Sequence, residues 1–182
     1  MSPPLVLVSV GSDHHPFQRL VDWSDDFARR HPEVRVVVQF GHATPPRNAD
    51  GSSFYAHGDF QKLMSQATAI VVQGGPAGIF EARGHGVLPI VVPRRRAEGE
   101  HVDDHQRSFA RFVDRSGRAV MVEHAEAFHA SLERALVDPT SHRIDPSSDG
   151  LEIADTVRNF TTIIDDLVAG IRVSSRRRKD GP

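Results

Sequence analysis

The sequence predicts a doubly wound α/β domain on a parallel sheet. Two observations carry that expectation: short β-branched runs that are apolar on both faces, as buried parallel strands are, and amphipathic helical patterns that alternate with them. The alternation favours right-handed crossovers, each helix returning the chain to start the next strand in the same direction.

The first strand is Leu5 to Val10, closed by Gly11 and Ser12. A helix over Phe17 to Arg30 follows. Phe17, Leu20, Val21, Trp23 and Phe27 make its apolar stripe, and Pro16 suits its first turn. Val34 to Phe40 is the second strand, and TPPRNADGSS, Thr44 to Ser53, reads as a loop by its Pro, Asn-Asp and Gly content. After FYAHGDF comes a short helix near Phe60 to Gln66, then a strand over Ala69 to Val72. A third helix covers about Gly75 to Gly86, and Leu88 to Val92 is the fourth strand. His105 to Ser116 is helical and leads to a fifth strand, Ala119 to Val122; a helix over Ala125 to Val137 precedes a turn-rich stretch, Asp138 to Gly150. The amphipathic segment Leu151 to Val168 closes a domain of residues 1–170. Residues 171–182 form a basic tail ending SSRRRKDGP, expected to be disordered.

Composition sets outer limits. At 182 residues the chain suits one well-buried domain, and 38% hydrophobic with 25% charged residues is ordinary for a folded globular protein. The formal net charge of −2 gives no basic field that would attract nucleic acid. Without cysteine there is no disulfide, zinc thiolate or thiol nucleophile, which fits a reducing compartment. The opening MSPPLVLVSVGS lacks a basic leader, and no apolar run approaches the roughly 20 residues of a spanning helix. A cytoplasmic location is expected, with any membrane contact peripheral.

The most informative stretch is IVVQGGPAGIFEARGHGVLPIVVP, Ile70 to Pro93: strand, glycine-rich turn, helix, strand. Gly74, Gly75 and Gly78 let a backbone approach a diphosphate, with the N–H groups and positive dipole end of the helix facing it. Glu81, three residues after Gly78, stands one turn on, where a carboxylate can accept from a ribose 2′,3′-diol. Glycine at these points also serves tight helix-on-sheet packing, so both uses stay open. No GK followed by Ser or Thr is present and no GxGxxG follows the first strand, which removes Walker-type ATPase and simple dehydrogenase readings.

PRRRAEGEHVDDHQ, Pro93 to Gln106, leaves the next strand at the same rim. Glu100, His101, Asp104, His105 and Gln106 crowd groups suited to several sugar hydroxyls. His101 and His105 at i and i+4 also resemble a metal pair, a reading set aside because no third ligand is evident and Gly99 argues for a loop. Arg94, Arg95 and Arg96 are open between phosphate neutralisation, a partner's acidic surface and plain surface charge. Gly11 and Ser12 offer a further backbone turn to the diphosphate, and His14 and His15 behind them are loop histidines of which either is a conceivable general base.

The run QGGPAGIFEARGHGVLPIVVP resembles the glycine-turn signature of glycosyltransferase family 28 C-terminal domains. PRRRAEGEHVDDHQ is similar to the corresponding stretch of PssE-type exopolysaccharide glycosyltransferase subunits. VSVGSDHHPFQRLVDW and FQKLMSQATAIVVQGG resemble the family's start and its lead into the glycine turn, so the likeness covers roughly Leu5 to Glu123. It extends to the catalytic subunit of the dolichol-linked N-acetylglucosamine transferase.

The resemblance implies a single Rossmann-like sheet, the C-terminal, donor-binding half of a GT-B fold. It implies that Gly11, Ser12, Gly74, Gly75 and Gly78 hold the diphosphate of a UDP-sugar, that Glu81 takes the ribose, and that Asp104, His105 and Gln106 read the sugar. The implied reaction is inverting transfer to a lipid-linked acceptor, with no metal or cofactor. The implied partner is a membrane-associated acceptor-binding subunit that carries the general base and holds this chain at the inner membrane face. Two departures stand out: Gln73 replaces a frequent histidine, and PAGI, Pro76 to Ile79, replaces a small polar run. The alternatives are a non-catalytic accessory subunit, a UDP-sugar epimerase of GT-B architecture and a nucleotide-binding regulator.

Overall fold

The computed structural model describes residues 3–146. The expected closing helix, Leu151 to Val168, and the basic tail lie outside them. The compact unit that these residues build ends at Ile144.

Six parallel strands form one sheet: β1 (Leu5–Ser9), β2 (Arg35–Gln39), β3 (Asp50–Ser52), β4 (Ala69–Gln73), β5 (Ile90–Val92) and β6 (Val120–Met121), in the order β3-β2-β1-β4-β5-β6. The helices are α1 (Gln18–Arg30), α2 (His57–Gln66), α3 (Pro76–Gly84), α4 (His105–Arg115) and α5 (Ala125–Val137). The chain builds outward from β1 through β2 to β3, then returns to lay β4 on the other side of β1. The order therefore reverses between β1 and β4. Outside the carboxyl ends of that pair, diverging crossovers leave a crevice.

Among the described residues the expected strands and helices all form, with ends shifted by a few residues at most sites. The exception is β3, inside the stretch read as a loop. Asp-Gly-Ser has no apolar pattern, but this is an edge strand, exposed on its outer side, and its backbone pairs with β2 in the register Val37↔Asp50. The Arg35 Nε to Asp50 Oδ2 contact of 3.2 Å ties it across the edge.

One sheet face, carried by Val6, Val8, Val36, Val38, Val71 and Ile90, packs with Phe17, Leu20 and Phe27 around α1 and with Phe128 and Leu132 of α5. At about 25 cal/mol per Å² of apolar area removed from water, such a layer dominates the favourable side of folding. α2 contacts β1 and α3 contacts β4, which places their first turns beside the crevice.

Two histidines sit inside this frame. Burial pushes the His129 imidazole below its usual value, with Arg30 adding to the effect and Asp26 and Glu133 opposing it. Burial lowers His142 likewise, helped by Arg134 and opposed by Asp138. Among the described residues, His129 Nδ1 and His142 Nε2 are buried with no hydrogen-bond partner. A group with a depressed folded pKa binds its proton more readily when unfolded. Its contribution is therefore complete above about pH 6.5, the unfolded value, and is lost as pH falls through the folded one. The melting temperature should drop between pH 7 and pH 5, and the double variant His129→Gln, His142→Gln should flatten that slope. An unchanged slope in the double variant would show that other groups set it.

Candidate nucleotide-sugar site

A cavity of about 330 Å³ occupies the crevice between β1 and β4. Ser9, Gly11 and Ser12 from the β1 exit, Val72 and Gln73 from β4, and Ala77, Gly78 and Glu81 from α3 form much of its wall. Gln39, Tyr55, His57, Phe60 and Met64 complete it. The sequence thus placed Gly11, Ser12, Gln73, Gly78 and Glu81 on one surface.

The chemistry of that surface starts with α3. Gly75 is its N-cap and no side chain caps the first turn; Pro76 at the first position has no N–H to satisfy. The amides of Ala77 and Gly78 belong to a helix start that borders the cavity, where backbone donors and the dipole favour an anion. Glu81 lies one turn further along the same wall, its Oε1 accepting a short hydrogen bond from Gln61 Nε2; Gln61 Oε1 in turn contacts His85 Nε2 at 2.6 Å. An electropositive backbone turn and a carboxylate therefore share one cavity.

The glycines divide between two uses. A Cβ at Gly74 would meet the Gln106 carbonyl oxygen at 2.9 Å, and one at Gly78 would meet Val72 Cβ at 3.3 Å. Gly74 is required by the close approach of α4 to the β4 exit, and Gly78 lets α3 sit tightly on Val72 of the sheet. Gly11 adopts a left-handed φ of +77°, and a Cβ there would overlap Gln73 Nε2. Ile79 is fully buried, so of the PAGI positions it serves the core and only Ala77 and Gly78 face the site.

The second motif behaves differently from the expectation. Glu100 is not a rim group: it is 3% exposed, and its two carboxylate oxygens accept from Arg19 at 2.8 Å each, one of them also from the Arg95 amide at 2.8 Å. Its role is to hold the loop that leaves β5, because a buried carboxylate is tolerated only when paired. Asp104 accepts from the Arg96 amide at 3.1 Å and His105 is bound to Asp103; with His101 they sit at the start of α4 and do not line the cavity. Gln106 does reach the wall residues, donating from Nε2 to Gln73 Oε1 at 3.4 Å. The side chain is 4% exposed, and its Oε1 is buried with no hydrogen-bond partner among the described residues.

The absence of a third ligand beside His101 and His105 does not hold in the structure. Asp103 lies with both, its Oδ1 3.5 Å from His101 Nδ1, and a second group joins Asp13, His14 and His15. The two groups meet where His101 Nε2 approaches Asp13 Oδ2 at 3.4 Å. Burial alone would raise the Asp13 carboxyl, but hydrogen bonds from the His15 amide and ring, with Arg94 and His101 nearby, hold it below the usual range. The His105 amide and ring likewise hold Asp103 low against some burial. These carboxylates orient imidazoles across the two loops, and the same donors are able to take a divalent transition metal.

Sequence reasoning missed the far wall. Tyr55 and His57 arrive through β3, itself unrecognised; the sole tyrosine of the chain, in FYAHGDF at the carboxyl end of a strand, was the available signal. Burial raises the Tyr55 phenol, with Asp50 adding and Arg35 opposing.

Residues 5–157 match the glycosyltransferase family 28 C-terminal domain. The chain belongs to that family. Its fold is the Rossmann-like C-terminal half of GT-B proteins, as solved structures of that architecture show. The kitacinnamycin glycotransferase superposes with a TM-score of 0.54 at 21% identity, over 86% of this chain and 38% of that one. CalG4, the calicheamicin glycosyltransferase, gives 0.54 at 16%, over 100% and 44%. MurG of Acinetobacter baumannii gives 0.52 at 22%, over 92% and 50%. The family 28 domain described here thus spans half or less of the length of these structures. No curated protein matches the chain.

Proposed function

We propose that this chain is the donor-binding subunit of a two-component inverting glycosyltransferase of PssE type, moving a sugar from a UDP-sugar to a lipid-linked acceptor in exopolysaccharide or related glycan synthesis. The observation that carries the proposal is the convergence of the uncapped α3 start and the Glu81 carboxylate on one cavity at the β1–β4 crevice. The first takes the diphosphate and the second the ribose hydroxyls. Gln106 Oε1, buried and unpaired, accepts from a donor-sugar hydroxyl, with Asp104, His105 and His101 further out along the same loop.

In the proposed reaction an acceptor hydroxyl oxygen attacks the anomeric carbon, the bond from that carbon to the UDP oxygen breaks with inversion, and the hydroxyl proton passes to a base on the partner half. Charge then grows on the departing diphosphate. Amides already oriented at a helix start stabilise it without solvent reorganisation, a role a metal fills elsewhere. The partner is a membrane-associated acceptor-binding subunit, which brings this chain to the inner face of the membrane.

Calorimetric titration with UDP and a panel of UDP-sugars tests the donor site, with and without chelator. Binding is expected, and EDTA should change the affinity less than about twofold, well within the 0.4 kcal/mol that such a ratio represents. A loss of binding on chelation would instead give the His–Asp groups a metal and the diphosphate a cation. UDP release only when partner-containing membranes are added would support the two-component assembly.

A further inference from the structure

Arg94 is the largest fully buried side chain among the described residues, and the sequence did not separate it from its two arginine neighbours. It leaves the end of β5 and passes under the site. Its guanidinium donates to the Val10 carbonyl at 2.7 Å, the His15 carbonyl at 2.7 Å, the Glu100 carbonyl at 2.8 Å and the Gln73 side-chain Oε1 at 2.6 Å. The Phe17 ring lies 4.8 Å from its Cζ. One cation thus joins the exits of β1, β4 and β5.

The bond to Gln73 fixes a choice that a carboxamide otherwise leaves open. Gln73 Oε1 receives Arg94 Nε and, more distantly, Gln106 Nε2. A flipped amide would set its own N–H groups against those donors. With Oε1 claimed, Nε2 lies against the glycine turns, 3.4 Å from where a Gly75 Cβ would be and closer still to that of Gly11. Both turns, and Gln73 itself, border the cavity or its rim.

We propose that Arg94 is a positioning residue that locks the Gln73 carboxamide with its N–H₂ toward the cavity, making position 73 a permanent neutral donor to the diphosphate. The inference rests on the donor-site reading above. A glutamine held this way donates at any pH, whereas an imidazole would titrate in the physiological range.

Gln73→Glu tests it with little change of shape. The new carboxylate keeps its contact to Arg94, so the melting temperature should hold or rise, but its second oxygen presents an acceptor where a donor stood. UDP affinity is expected to fall roughly 30-fold or more, as for a lost hydrogen bond to a charged group with repulsion added. Uridine, which lacks the phosphates, should bind the variant as it binds the wild type in an NMR titration. Arg94→Lys, which keeps the charge but cannot span all four acceptors, should show the same selective loss of UDP over uridine if it folds. Wild type that binds UDP, with Gln73→Glu within threefold of it, would overturn the locked orientation alone. Equal losses for UDP and uridine would also overturn it, by moving the effect away from the phosphates. Wild type that fails to bind UDP would remove the donor-site reading and this proposal together.

Discussion

Glu81→Ala should weaken UDP binding by roughly 100-fold while leaving the fold intact. The carboxylate is proposed to accept from both ribose hydroxyls, and a hydrogen bond to an ionised group contributes about 1.5–3 kcal/mol, so losing the pair costs about 3 kcal/mol. The only partner seen for it among the described side chains is Gln61, on the wall of an open cavity, so its removal strands no buried charge. Titration calorimetry of wild type and variant, with melting curves on the same samples, separates the two effects. An affinity within threefold of wild type would take the ribose away from Glu81. Glu81→Gln, which keeps the shape but offers an acceptor on only one atom, should fall between the two.

Arg94→Leu should damage the fold more than any substitution on the cavity wall. The leucine would leave four acceptors without their donor: the carbonyls of Val10, His15 and Glu100 and the Gln73 side chain. An unsatisfied buried polar group costs about 1–3 kcal/mol, so even with partial relaxation the variant should lose about 4 kcal/mol or more. That is a large part of the roughly 5–15 kcal/mol by which domains are stable. Burial pushes the guanidinium below its ordinary value, and Asp13 and Glu100 act against that shift; the group stays charged, as arginine does throughout the working range. Urea unfolding measures the loss. A variant within about 1 kcal/mol of wild type would mean that water replaces the guanidinium at its acceptors.

Legibility in the sequence followed the physical origin of each feature. Buried strands and amphipathic helices announce themselves through periodicity, which is why β1, β2, β4 and α1 lie close to where Leu5 to Val10, Val34 to Phe40, Ala69 to Val72 and Phe17 to Arg30 were expected. β3 is held by backbone pairing at an edge and leaves no apolar trace. The glycine turn and Glu81 were legible because a strand followed by glycines and a helix fixes their relative positions. The split between Arg94 and its neighbours was not, since RRR reads identically whether one guanidinium turns inward or none does. Glu100 was misplaced for the same reason: its partner Arg19 is eighty-one residues away, and a carboxylate's destination depends on a cation that no local pattern reveals. Gly74 and Gly78 were found, but only the atoms around them separate a packing requirement from an approach path.

The sheet ends as it does for a reason that concerns association rather than chemistry. An unpaired strand border is a template for adding another chain, and long apolar borders lead to fibres. Among the described residues the sheet ends in β3, which offers three residues, Asp-Gly-Ser, with Arg35 and Asp50 paired across it, and in β6, which offers two. Neither border gives an incoming strand the length to dock, so two copies have little means of stacking sheet to sheet.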